Sequence, residues 1–164
     1  MDNLIIESTF EMQNKSKLYK FLSELYDIFS KSYQGHLKPH KFILLLCVLD
    51  LFDSGEITEN KIYLDKPLIN TYTKYYEFLK RDNETDRPWY PFFHLKSSTF
   101  WKHKIKPGFE YEYKNLGSEQ GIRKINSIIE YSYLKSETFE LFKDRKTRIY
   151  IENIINSVLS ENAD

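Results

Sequence analysis

Residues 36–52, HLKPHKFILLLCVLDLF, change character part-way along. The first six residues carry two histidines, two lysines and a proline, and the next eleven are apolar except for Asp50. Pro39 suits the first turn of a helix, where the N–H it lacks would have no partner. Residues 40–53 are apolar on nearly every face, the pattern of a helix enclosed by the rest of its domain. Ser54-Gly55 then stops it. This stretch predicts a central buried helix whose basic tip reaches the surface, so the flanking segments are read by how they could wrap around it.

On the N-terminal side, Leu18, Phe21, Leu22, Leu25, Ile28 and Phe29 recur at helical spacing, which predicts an amphipathic helix over 16–33 ending near Gly35. On the other side, EITENKIYL has strand character around an Asn-containing turn, a short ribbon. Asp65 can cap a helix with Pro67 in its first turn and Leu68, Ile69, Tyr72, Tyr75, Tyr76 and Leu79 along it. RDNETDRP at 81–88 is a polar loop. FWKHKIK and FEYEYKN both alternate about Pro107-Gly108, which predicts a β-hairpin. With Pro107 and Gly108 as the turn, Lys104 would face Tyr111, Lys102 would face Tyr113 and Glu112 would face His103. Beyond it, Ser118, Ser136 and Asp144 could cap three helices carrying Ile125, Ile128 and Ile129; Phe139 and Phe142; and Ile151, Ile154, Ile155 and Val158. The expected fold is α+β and predominantly helical: a central buried helix with a small hairpin, winged-helix-like in outline.

The chain has 164 residues, is 41% apolar and has a formal net charge of zero, which suits one domain with a sizeable core over about residues 16–160. Its one cysteine, Cys47, lies inside the apolar run and has no partner for an internal disulfide, fitting a reducing compartment. MDNLIIESTF has an acidic flank and three consecutive apolar residues, unlike a signal peptide, and the apolar run at 42–52 is too short to span a bilayer. The expectation is a soluble, cytoplasmic domain with no membrane partner.

Zero net charge conceals an asymmetry. Between Asp27 and Asp50 there is no acidic residue, yet Lys31, His36, Lys38, His40 and Lys41 fall there. Between Asp86 and Glu110 there is again none, while Arg87, His94, Lys96, Lys102, His103, Lys104 and Lys106 occur. Brought together, the two windows would make a basic patch threaded with Trp89, Tyr90, Phe92, Phe93 and Trp101, the footprint of a nucleic-acid site. The competing reading is a solvated hairpin with cross-strand ion pairs. His36 and His40 are four apart, but Gly35 and Pro39 oppose a continuous helix there and no carboxylate lies nearby, so no metal site is expected. Paired cysteines, a P-loop, GxSxG and GxGxxG are all missing from the sequence, and Cys47 reads as core. No active site, metal or cofactor is expected.

Three segments in order, KPHKFILLLCVLDLFDSGEITENKIYL, YPFFHLKSSTFW and ETFELFKDRKTRIYIENII, resemble the sulfur-binding domain of modification-dependent (type IV) restriction endonucleases. That family recognises phosphorothioate DNA, in which sulfur replaces a non-bridging phosphate oxygen. The resemblance implies a sulfur pocket of Pro39, Tyr90 and Pro91, with His94 where a smaller residue is expected. It also implies that His40 and Lys41 hold the DNA backbone; the acid-free windows add Lys38, His36, Arg87, Lys96, Lys102 and Lys104 as further backbone contacts. The family's HNH nuclease is absent from this sequence, so the resemblance implies a binding module in bacterial defence. Its partner would be double-stranded phosphorothioate DNA, with the nuclease either a domain of a longer chain from which this one is taken or a separate effector. Sulfur is larger and more weakly hydrated than oxygen, so an apolar dimple inside a basic rim can select it by penalising the oxygen. The alternative is a protein-interaction domain of the same fold that does not bind DNA, consistent with the neutral net charge; an enzyme with an unrecognised site is a third.

Overall fold

The computed structural model describes residues 2–79 and 86–162, with side chains from residue 12 onward. Residues 81–85 of the polar loop read at 81–88 lie outside the described residues.

Helix α1 (Asp2–Ser32) includes the predicted amphipathic segment and begins well before it. Phe21, Leu25 and Ile28 are buried along one side, and Tyr19 and Tyr26 stand exposed on the other. Gly35, at φ 78°, turns the chain, and a Tyr33–Leu37 bridge closes the turn. A left-handed φ is open to glycine without a Cβ penalty, so the basic tip can follow directly on α1.

Helix α2 (His40–Asp53) is the central helix: every residue from Phe42 to Leu49 is buried, with Leu51 and Phe52. Pro39 stands at its N-cap, and the Pro39 carbonyl accepts the Ile43 N–H at 2.9 Å. Helix α3 (Lys66–Leu79) packs on α2 through Leu68, Tyr72 and Tyr76. As predicted, Asp65 caps it, its carboxylate accepting the Leu68 N–H. The one polar residue in the apolar run is also satisfied, because the Tyr75 hydroxyl donates to Asp50 at 2.6 Å. The short helix α4 (Trp89–His94) lies against α2 as well.

The sheet differs from the expected hairpin. Strand β1 (Trp101–Ile105) forms as predicted, but FEYEYKN does not pair with it: Glu110–Lys114 is a short helix, α5. The partner is β2 (Ile129–Leu134), reached through helix α6 (Gly121–Ile128). The two strands are antiparallel, pairing Lys102 with Tyr133, His103 with Ser132 and Lys104 with Tyr131, with a bulge before Ile105. Ile129, read as part of a helix, is therefore the first strand residue, and the hairpin on which a winged-helix outline would rest does not form.

Burial decides the pairing. IEYSYL places Ser132 and Leu134 inward and Tyr131 and Tyr133 half-exposed, so its alternation serves a core. No residue of the EYEYK segment is fully buried: Tyr113 packs half-buried against the core and the rest are exposed, so it has no inward-facing alternation to offer a sheet. EITENKIYL forms no ribbon of its own either. Ile62 and Ser132 exchange backbone hydrogen bonds at 2.7 and 2.8 Å. The Asn60 amide clamps the Leu134 carbonyl and N–H at 2.7 and 2.8 Å.

Helices α7 (Ser136–Lys143) and α8 (Arg145–Glu161) complete the shell. Asp144 caps α8, accepting the Thr147 N–H at 3.0 Å, whereas Ser136 is the first helical residue of α7 rather than its cap. Phe142 sits edge-on to Phe21 of α1 and Phe52 of α2, at 5.4 and 5.8 Å. One cluster of buried residues runs from Phe21 to Leu159. The structure is mostly helical with one two-stranded antiparallel sheet, an α+β fold. Among the described residues, no helix is long and apolar enough to cross a membrane.

Candidate nucleic-acid interface

The two acid-free windows meet where the first turn of α2 lies against α4. The Lys41 ammonium donates to the Ser97 hydroxyl at 3.3 Å, just beyond α4. The His40 and Tyr90 rings are edge-on at 6.0 Å, and Tyr90 and His94, one turn apart on α4, approach to 4.4 Å. Tyr90 is 42% exposed and lies between the two imidazoles. His40 is anchored from below: its ring stacks on Tyr76 at 6.2 Å, and its Nδ1 lies 3.4 Å from the Tyr72 hydroxyl.

The prolines sit differently. Pro39 and Pro91 are both buried, Pro39 as the N-cap of α2 and Pro91 inside α4. Neither proline ring is open to solvent, and the apolar surface open to a ligand at this point is the Tyr90 ring. No side chain caps α2, because proline has none to offer, so its first-turn N–H groups are left for solvent or an anion.

The charge of the patch comes from fewer residues than the sequence suggested. Burial, then Arg87 and Lys38, lower the His40 imidazole from its ordinary value. Burial, Lys41 and Lys96 lower His94, against a smaller opposing effect of Glu119. Both rings are biased toward the neutral form, and the cations acting on them are Lys38, Lys41, Lys96 and Arg87. Lys41 is half-buried, and burial and Lys31 lower its ammonium, with Asp27 opposing.

His103 edges a neighbouring groove but brings no charge to the patch. Burial pushes its imidazole down to about 4. Its Nε2 meets the Phe92 carbonyl at 3.1 Å and its Nδ1 the Tyr113 hydroxyl at 2.9 Å. The Phe92 and Phe93 rings stack against it at 5.9 and 5.8 Å. A neutral ring donating from Nε2 and accepting at Nδ1 satisfies both contacts. His36 is exposed in the turn before α2, away from any helix shared with His40. Among the described residues, no group of three histidine, cysteine, aspartate or glutamate side chains could hold a metal ion.

No protein-family model matches this chain, and no curated protein does.

The remaining predicted cations lie on a second surface. Lys96 rests on the Phe93 ring at 4.1 Å, and Lys102 and Lys104 project from the outer face of β1. Two site residues were missed in the sequence. Ser118, read as a helix cap, is buried and bonded to His94 Nε2 at 2.8 Å. Ser97 is the hydroxyl that joins Lys41 to the second surface. Both are serines in polar stretches, and their role follows only from tertiary placement.

Proposed function

We propose that this chain is a DNA-binding module that reads a phosphorothioate in duplex DNA at the junction of α2 and α4. The observation that carries the reading is the junction itself: two segments far apart in sequence, both free of acidic residues, share one surface through the Lys41–Ser97 hydrogen bond and the His40–Tyr90 ring contact.

The chemistry supports a soft anion. A phosphate oxygen is strongly hydrated, and pressing it against an aromatic ring and neutral imidazoles strips water without return. Sulfur loses less, so the same contact favours P–S over P–O. A charged imidazolium would attract either anion alike, and the lowered His40 and His94 keep that indiscriminate attraction out of the contact. Lys38, Lys41 and Arg87 then hold the adjoining phosphates without reading them. His94 narrows the space beside Tyr90, so the sulfur would lie against Tyr90 and the ring edge of His94, with the buried prolines as backing.

The test compares duplexes identical but for one phosphorothioate, by fluorescence anisotropy at several salt concentrations. Tighter binding of the modified duplex is expected. Equal affinity would leave a general DNA binder, and binding to neither would favour a protein-interaction domain.

A further inference from the structure

The open face of the sheet lies outside the α2–α4 junction and carries two of the backbone contacts expected from the sequence. From it Lys102 and Lys104 project, and cross-strand from them stand Tyr133 and Tyr131. Lys61 lies 5.5 Å over the Tyr131 ring, and Tyr63, 44% exposed, is edge-on to Tyr131 at 5.6 Å. Tyr131 and Tyr133 are themselves edge-on at 6.3 Å. The expected alternation of lysine with tyrosine is therefore present, on a different pair of strands.

At one end this face runs into a shallow groove of about 470 Å³ lined by Lys96, Ser97, Lys102, Tyr113 and Tyr133 among others. No carboxylate lines the groove. Two acids near it are already engaged: Glu24 accepts a hydrogen bond from Thr99, and Glu59 is paired with Lys61 at 3.6 Å. Ser97 also receives Lys41, so the groove begins where the α2–α4 junction ends.

We infer that the groove and the outer sheet face form a second DNA-contact surface that grips the sugar–phosphate backbone of duplex flanking the α2–α4 junction. Lysine ammonium and tyrosine hydroxyl groups are ordinary phosphate partners. Base stacking on a single strand is disfavoured by the ring geometry. The tyrosines meet edge to face, and Lys61 covers one ring, so no run of parallel ring faces is presented to successive bases. The occupant is a backbone, read by charge and not by sequence. This surface rests on the DNA reading but not on sulfur selection.

The experiment is the double substitution Lys102→Ala/Lys104→Ala in the full chain, with thermal unfolding as a check on folding. Affinity is measured against modified duplex, unmodified duplex and a single strand of equal length across a salt series. Both duplexes should weaken by the same factor, and the salt slope should fall by about two units, one per lysine–phosphate contact. The ratio between the duplexes should hold. An unchanged slope and affinity would overturn the proposal, as would a collapsed ratio, which would place the sheet face at the modified phosphate. Tighter binding of the single strand would also overturn it. Equal binding of both duplexes by the unsubstituted chain would remove sulfur selection and leave this surface to be judged on the slope alone; no binding of any DNA would remove both.

Discussion

His94 and His103 stand on consecutive elements, α4 and β1, and burial lowers both imidazoles, yet the fold uses them in opposite ways. His103 spends both ring nitrogens inside the protein, tying β1 to the Phe92 carbonyl of α4 and to Tyr113 of α5. His94 is bonded through Nε2 to buried Ser118, with its ring against the exposed Tyr90. A run of basic residues in a sequence therefore says little about charge at a surface. One histidine of the pair is internal cement and the other edges a candidate contact, and the difference lies in which side of α4 each one meets.

The largest expected effect comes from breaking the cement. His103→Leu removes two hydrogen bonds and leaves the Phe92 carbonyl and the half-buried Tyr113 hydroxyl without their partner. Urea unfolding should show a loss of about 2–4 kcal/mol. His94→Leu forfeits one hydrogen bond near the surface and should cost about 1 kcal/mol. A larger loss at His94 than at His103 would reverse the distinction between them.

The same contrast sets the pH response. His103 is held at about 4 in the fold against an ordinary 6.5. Below pH 6.5 the unfolded chain takes up a proton that the folded chain refuses, so stability falls as pH drops from about 6.5 to about 4. The share from His103 is on the order of 3 kcal/mol at the bottom of that window. His40 and His94 are shifted in the same direction and add to the fall. Unfolding of His103→Leu measured from pH 7 to pH 4 should show a shallower decline than the unsubstituted chain; parallel curves would mean that His103 is not the buried neutral group described.

The helical frame was legible because α2 announces itself: eight consecutive buried residues leave one plausible centre, and Gly35, Gly55, Asp65 and Asp144 punctuate the helices around it. The sheet was not, because Pro107-Gly108 followed by FEYEY satisfies every local rule for a hairpin. Local rules lose here to burial, which IEYSYL can supply and FEYEY cannot. IIEYSYL held the missed signal: a β-branched pair followed by alternating tyrosines is strand-like, and it was overridden by its spacing from Ile125. At the candidate site, the two acid-free windows were readable from charge, but that they meet depends on how α4 packs on α2. The burial of the prolines and the neutrality of the histidines depend on packing that a single sequence does not encode locally.

Within the proposed contact, Tyr90 should matter more than any cation. Its ring is exposed, so Tyr90→Ala should leave thermal unfolding nearly unchanged while reducing affinity for modified duplex by about 1–3 kcal/mol. Weak binding to unmodified duplex should hold, and the ratio between the two would shrink. A loss shared equally by both duplexes would make Tyr90 a general contact rather than the reader.

The smallest effect, and the sharpest separation of reading from holding, is expected at Lys41. Its ammonium is half-buried and bonded to a neutral hydroxyl at 3.3 Å, so it has charge to offer a phosphate. That attraction is blind to which atom a neighbouring phosphate carries. Lys41→Ala should weaken both duplexes by a similar factor, on the order of 1 kcal/mol at moderate salt, and lower the salt slope by about one unit. Lys41→Arg should keep the slope, since the charge remains, even if the Ser97 contact changes. Anisotropy titrations of both variants on both duplexes, run across salt, separate charge from geometry. If Lys41→Ala erased the preference for sulfur while Tyr90→Ala preserved it, the reader and the holder would have to be exchanged, and the aromatic surface between the two histidines would be a floor instead of a contact.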